Sequence, residues 1–360
     1  MLQQREFTVI AINIIFVKML LSFPRSLITN SANAAWIQLI YCTIAVVLFF
    51  LTISRLYHGN RNILEIAHIC GGKGLKIITG IAVFLLLGMN LVNISRECSE
   101  IIKAVLLKNV NDRIVILLFG IVCSICAVLG IEALGRVHFL FMPIAAAVLI
   151  IFLLLLIPYY RLENAAPLLG AGLSKIFGSG LSGLSLFSDL LLLNILIPNT
   201  QNLSTAASCT LKALIISGVL SVIIMLAFCL SYPYPSSQNF INPVYQLSRM
   251  IHLSGFFSRF EAFFEFTWTI LLFLYASVYL FTMSQCLCQA FSLRYSRSVV
   301  PAVAIIAFAP VMLPSDRFEA FDLQKYCDNY AFIPAFIILL IFAIISRYIA
   351  KNKHKTGGKS

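Results

Sequence analysis

Four charged side chains lie inside long apolar runs of this 360-residue sequence: Lys18, Asp189, Glu261 and Glu265. A charge near the centre of a bilayer costs at least about 2.5–3.5 kcal/mol, so each one needs a partner, a water-filled cavity or a function. Lys18 and Asp189 fall at comparable depths of the first and sixth runs. We therefore expect them to pair inside the protein, where low dielectric strengthens their attraction. The alternatives are a purely structural ion pair, or a Lys18 that reaches toward the interface or is uncharged.

The two acids of the eighth apolar run differ in depth. Helical spacing places Glu261, Glu265 and Thr269 on one face, with Trp268 on the adjoining stripe. Glu261 falls near the membrane interface, whereas Glu265 is deeper and is the better candidate for facing a cavity. Its alternative role is an interhelical hydrogen bond made by a neutral acid.

The sixth run begins with glycines and serines, GSGLSGLSLFSD from Gly178 to Asp189. These residues weaken a continuous helix, and a membrane tolerates an interruption only where the backbone lines a cavity or is covered by protein. Many secondary transporters hold small zwitterions at such broken helices. A small-residue face for close helix packing is the alternative. Asn90 and Asn93 in the third run could face the same cavity or serve packing.

The candidate ligand-binding residues therefore come from the first, third, sixth and eighth runs: Val17, Lys18, Met19, Asn90, Asn93, Ser185, Phe187, Ser188, Asp189, Glu265, Trp268 and Thr269. We predict no cofactor and no metal site, because the one CxxC pair, Cys123 and Cys126, lacks a second cluster and fits helix packing better. We also predict no enzyme, since no nucleophile–base pairing or phosphate-cradling loop is present.

The composition indicates that these residues lie within a membrane protein. The chain is 60% hydrophobic and 11% charged, with a mean hydropathy of +0.95, whereas soluble domains are roughly 45–50% apolar and about 25% charged. The runs are continuous rather than alternating, which favours helices of about 20 residues over a barrel. We predict an all-α integral membrane fold of about ten transmembrane helices in one domain, residues 1–360. The predicted spans are 7–28, 35–54, 75–95, 113–131, 138–158, 180–198, 211–231, 259–288, 298–314 and 331–350.

The net charge of +12 is scattered among apolar segments and forms no basic domain, so it predicts membrane orientation rather than nucleic-acid binding. The basic second connection and the basic tail, residues 351–360, place both termini in the cytoplasm. The polar connection Tyr232–Ser258 is predicted as an external loop with a short helix.

Several motifs along the chain match one family in order and spacing. The first span ends in Met19–Arg25 (MLLSFPR), and the second opens with Ala34–Ile37 (AAWI). GIEALGR, LIPNTQN and SRFEAFFEFTW follow at Gly130–Arg136, Leu196–Asn202 and Ser258–Trp268. Together they resemble the spore germination B-subunit family, a branch of the amino acid–polyamine–organocation (APC) transporter superfamily. The likeness runs from Gln3 to about Lys351.

This resemblance implies a LeuT/APC-like five-plus-five inverted repeat with broken helices one and six, which would relate spans one to five to spans six to ten. It also implies a nutrient-sensing role in the spore inner membrane, a small germinant such as an amino acid, and A and C subunits as partners. At the first break the superfamily often has glycines, whereas this sequence has Phe16–Met19 (FVKM). The Lys18 ammonium could then act as the anion partner in place of bare backbone.

The sequence thus predicts a germinant-sensing membrane subunit that binds a small amino-acid-like ligand in a midplane cavity. The alternative is a proton-coupled amino-acid permease of the cell membrane that uses Glu265 or Asp189 as its titrating group. A structural scaffold for partner subunits is a third possibility, and it predicts no saturable ligand binding.

Overall fold

The computed structural model describes residues 1–57, 61–105, 110–167, 170, 172–240, 242–252, 260–294, 297–312, 326, 330 and 332–356, and within them all regular structure is helical. The α-helices are α1 Gln4–Phe16, α2 Phe23–Ser31, α3 Ala35–Leu56, α4 Ile63–Val105, α5 Asp112–Leu129, α6 Ile131–Leu156, α7 Leu173–Phe177, α8 Leu190–Ile195, α9 Leu203–Ser231, α10 Tyr234–Ser237, α11 Pro243–Arg249, α12 Phe260–Ala290, α13 Val299–Phe308 and α14 Phe332–Thr356.

The first membrane helix is broken between α1 and α2. The α-helical hydrogen bonds stop at Phe16, a single 3₁₀ segment covers Val17–Leu20, and the chain leaves helical geometry at Leu21. α2 restarts with Pro24 in its first turn, where the missing proline N–H would have had no helical partner in any case. The break therefore exposes backbone groups around Lys18 to the interior of the protein.

The sixth membrane helix is broken in a similar way. A 3₁₀ helix covers Ser179–Phe187, nine residues where three or four are usual. Ser188 and Asp189 form a turn, and α8 begins at Leu190. The predicted interruption of this helix by its glycines and serines is confirmed.

α4 contains a sharp change of direction near its start. Gly72 adopts φ +66° and ψ −154° next to a non-helical Gly71, a conformation that side chains with a Cβ rarely adopt. The helix then continues to Val105, well past residue 95, where the sequence predicts its span to end. Side chains in this extension, Glu97 among them, therefore belong to the helix bundle rather than to a loop.

α12 forms the centre of the bundle and packs against α4, α5 and α6, while α1 packs against α9 and α6. The outer helices present apolar stripes: Leu117, Ile121 and Ile125 of α5 recur at helical spacing and are about half exposed. Apolar side chains outside and buried polar groups inside are the arrangement that lipid requires.

By length and composition, seven helices of the described residues can cross a membrane, and Val299–Met312 and Ile333–Ile349 are shorter apolar helices. The chain is a multi-pass membrane protein. The predicted short helix in the connection after Tyr232 is confirmed by α10 and α11. The last tail residues, 357–360, Arg259 of the eighth span and residues 253–258 of that connection lie outside the described residues.

The close approach of α4 and α12 generates a stability prediction. A Cβ on Gly80 would lie 2.3 Å from the Ala290 Cβ, whereas a Cβ on exposed Gly74 of the same helix would meet nothing within 4 Å. We expect Gly80→Ala to destabilise the protein by about 1–3 kcal/mol through overpacking, and Gly74→Ala to be neutral or stabilising by up to about 1 kcal/mol. Thermal unfolding in detergent measures both.

The double variant Gly80→Ala/Ala290→Gly moves the methyl group to the other helix and should recover most of the loss. A double variant no more stable than Gly80→Ala alone would show that helix contact is not the cause.

Candidate functional site

Lys18 and Asp189 meet between the two broken helices. The Lys18 Nζ lies 2.9 Å from Asp189 Oδ1 and also donates a hydrogen bond to Ser188 Oγ at 3.0 Å. Lys18 is 9% exposed and Asp189 is fully buried. The predicted approach of these two charges is confirmed, and the pair links two breaks 171 residues apart in sequence.

Two tyrosines of α12 complete the environment of the carboxylate. The Tyr279 hydroxyl donates a short hydrogen bond to Asp189 Oδ1, and the Tyr275 hydroxyl donates to Oδ2 at 3.4 Å. Their rings stack at a centroid distance of 4.5 Å, and Asn90 of α4 interacts with the Tyr279 hydroxyl. The carboxylate thus accepts from three donors, the Lys18 ammonium and the two tyrosine hydroxyls, and such bonds stabilise a buried charge.

The sequence analysis missed both tyrosines. A signal was present, because two tyrosines four residues apart share a helical face, and a buried phenol needs a polar partner. The partner could not be identified from sequence, since it lies 86 to 90 residues away.

Glu97 of α4, at the first break, is a third residue that the sequence analysis missed. Its Oε2 accepts the backbone N–H of Ser22 at 2.9 Å, immediately before α2 begins at Phe23. The start of a helix leaves N–H groups without intrahelical partners, and these favour negative charge. A carboxylate of the protein therefore occupies the anion-binding end of α2.

The other predicted residues divide into two groups. Val17, Met19 and Phe187 are fully buried beside the breaks, and the Ser185 hydroxyl bonds to Ser182 O within its own segment. Their part in binding stays a prediction. Asn93 is half-buried, and no hydrogen bond to its side chain is formed by the described residues.

Glu265 is not brought to the ion pair. Among the described residues its carboxylate makes no hydrogen bond or ion pair, and Thr269 Oγ1 bonds only to the Glu265 backbone carbonyl. Ten residues separate Glu265 from Tyr275 on α12, or about 15 Å of helix. Trp268 lies closer to the first break: its ring packs against Phe16 at 6.1 Å, and its buried Nε1 has no partner among the described residues.

No group of three or more His, Cys, Asp or Glu side chains that could hold a metal occurs within the described part of the chain. The site is instead an ion pair surrounded by hydroxyl groups.

Residues 1–319 match the family model described as spore germination protein. The chain belongs to the spore germination protein family. This confirms the resemblance found in the sequence. A comparison with curated proteins found no match.

Solved transporter structures share the fold. Mhp1, a nucleobase-cation-symport-1 family transporter in a closed conformation with bromovinylhydantoin bound, is 15% identical with a TM-score of 0.62, over 96% of this chain and 93% of Mhp1. The Eremococcus coleocola manganese transporter in complex with an aromatic bis-isothiourea compound is 11% identical with a TM-score of 0.58, over 94% of this chain and 75% of that transporter. The predicted LeuT/APC-like fold with broken helices one and six is confirmed. This germination family member therefore has the architecture of a transporter.

The ion pair generates the second prediction. Removing one partner leaves a buried charge without compensation, so Lys18→Met and Asp189→Asn should each destabilise the protein by about 3–5 kcal/mol. The double variant leaves no buried charge and should be more stable than either single variant. Thermal unfolding in detergent gives the coupling, and Lys212→Met on the exposed face of α9 is the control. Additive losses in the double variant would contradict the pairing.

Proposed function

We propose that this protein is the germinant-sensing membrane subunit of a spore germination receptor, and that it binds a small amino-acid-like ligand between its two broken helices. The observation that carries the proposal is the buried Lys18–Asp189 pair, which joins the two breaks. Family membership and the transporter fold support a membrane transporter or receptor role. The ligand, the site and the partner subunits are the proposal.

The chemistry of the pair favours a zwitterion. A ligand with one ammonium and one carboxylate replaces both partners at once: its carboxylate pairs with Lys18 and its ammonium with Asp189. Neither charge is then buried without a partner, a state that would cost several kcal/mol. A ligand with a single charge satisfies one partner and strands the other. The pair therefore favours a ligand that carries both charges.

Groups already at the breaks can assist this exchange. Ser188 Oγ lies next to the Lys18 ammonium, and Tyr279 donates to the Asp189 carboxylate. The Trp268 Nε1–H is a buried donor with no partner among the described residues, beside the first break. A ligand acceptor that reached this N–H would remove the cost of its unpaired burial.

Such an exchange gives the protein a way to signal. Without ligand, the ion pair links the break in the first membrane helix to the break in the sixth. A ligand that binds both charges replaces this direct contact with a longer one. A ligand shifts an equilibrium only through its different affinity for the two states, and the separation of Lys18 from Asp189 is that difference. We propose that the shift passes to A and C subunits in the spore inner membrane, with both termini of this chain in the cytoplasm.

Net transport is the second candidate, because the structural neighbours are transporters and the two named above each hold a small molecule. Uptake of radiolabelled L-alanine by proteoliposomes separates the two functions. Concentrative uptake by the lone chain would favour a permease, whereas saturable binding without accumulation would favour a receptor.

The third prediction concerns sensitivity to germinant. Spores with Lys18→Ala or Asp189→Asn should need at least about tenfold more amino acid for half-maximal germination, the equivalent of losing about 1.4 kcal/mol of binding. Lys212→Ala, which removes an exposed lysine of α9, is the matched control. Immunoblots of spore membranes establish equal amounts of protein. Unchanged sensitivity in both site variants would overturn the proposed site.

The charge requirement of the ligand can be measured separately. The methyl ester and the N-acetyl derivative of an active amino acid each lack one charge, and both should fail to compete for binding to purified protein. Competition by either derivative at the affinity of the parent amino acid would contradict the exchange of both partners.

A further inference from the structure

His138 belongs to α6 and contacts Asn13 of α1, apart from the ion pair. It is fully buried on α6. Its Nδ1 lies 2.7 Å from the Leu134 carbonyl of the same helix, and its Nε2 lies 3.1 Å from the Asn13 Nδ2 of α1. Asn13 Nδ2 also donates to the Leu271 carbonyl of α12 at 3.1 Å. One amide group thus connects α1, α6 and α12.

These contacts define the protonation state of the ring. The Leu134 carbonyl can only accept, so the Nδ1 must carry a hydrogen. The Asn13 amide nitrogen can only donate, so the Nε2 must offer its lone pair. The ring is therefore neutral in this structure, with its single hydrogen on Nδ1.

One atom of the cluster has no partner. Asn13 Oδ1 is buried and makes no hydrogen bond with the described residues. An unsatisfied buried acceptor is costly, and this one belongs to the amide whose nitrogen faces His138. If Nε2 carried a hydrogen, two donors, Nε2–H and Asn13 Nδ2, would face each other. Rotation of the Asn13 amide would place the acceptor Oδ1 opposite the Nε2–H instead.

The same rotation affects α12. The rotation turns Nδ2 away from the Leu271 carbonyl and turns Oδ1 toward it, so that two acceptors face each other. The neutral ring therefore allows the amide bridge between α1 and α12, and the protonated ring opposes it. Leu271 lies one helical turn before Tyr275, and Asn13 lies on the helix that leads into the Lys18 break.

The elements packed against α6 include α1, α5, α9 and α12. These helices and α6 itself carry the charged side chains Arg5, Glu6, Asp112, Arg113, Glu132, Arg136, Lys212, Glu261 and Glu265. None of them forms a hydrogen bond or an ion pair with the His138 ring in the described part of the chain, where the partners of the ring are the Leu134 carbonyl and the Asn13 amide. A hydrogen added to Nε2 would therefore be donated to Asn13 Oδ1 once the amide has rotated.

We infer that His138 is a proton-binding site and that its occupancy controls the contact between α1 and α12. The ligand is a proton, taken up at Nε2 with no other bond formed or broken. This assigns the titrating role to His138 rather than to Glu265 or Asp189, and it does not depend on the proposed germinant or on its site.

The test follows the ring and the helix contact separately in the full-length protein in nanodiscs. Nitrogen NMR of ¹⁵N-histidine protein, with His138→Gln used to assign its resonances among the five histidines, should show Nδ1–H only at pH 8. It should show hydrogens on both nitrogens at lower pH, with about one proton taken up. A ring that stays neutral down to the pH of unfolding would overturn the inference.

The fluorescence of Trp268, which packs on Phe16 of α1, reports on the helix contact. The chain has two tryptophans, so the measurement uses a Trp36→Phe background in which Trp268 alone remains. Its fluorescence should change at the midpoint of the His138 titration, equally in the exposed control His68→Gln. Asn13→Ala should retain the titration of the ring and lose the fluorescence change. A fluorescence change that survives in Asn13→Ala, or in His138→Gln if that variant folds, would overturn the coupling.

Discussion

The structure depends on one buried ion pair. Lys18 and Asp189 belong to segments that leave α-helical geometry, so each break is stabilised by a charge from the other. A buried charge without its partner is costly, whereas the pair is tolerated when hydrogen bonds satisfy the remaining groups. Ser188, Tyr275 and Tyr279 supply those bonds. Each irregular segment therefore depends on the other for the partner of its buried charge.

α12 provides the rigid frame against which both breaks are positioned. Its tyrosines hold the Asp189 carboxylate, and its last turns contact the opposite end of the bundle through neutral amides. Gln285 exchanges two hydrogen bonds with Asn199, and Gln289 accepts one from Asn62. The backbone carbonyl of Asn199 also accepts the N–H of Leu2. One helix thus contacts both the ion pair and this group of amides.

A transporter fold does not by itself make a transporter. The architecture shared with Mhp1 supplies two broken helices around a common centre, but the side chains decide what happens at that centre. In this chain Lys18 occupies the first break and Glu97 occupies the anion-binding start of α2. The breaks are filled by the protein's own charges.

The sequence by itself determined the class of fold, because a chain with 60% hydrophobic residues in continuous runs has only a helical bundle in lipid open to it. It also determined that Lys18 and Asp189 need partners, since a lone charge in lipid is too costly. Only the tertiary structure decided which groups meet. Tyr279, Glu97 and His138 contribute through contacts 75 or more residues apart, and Glu265 lies elsewhere on α12. Helical periodicity predicts the face on which a residue lies, but the packing of helices determines what lies opposite that face.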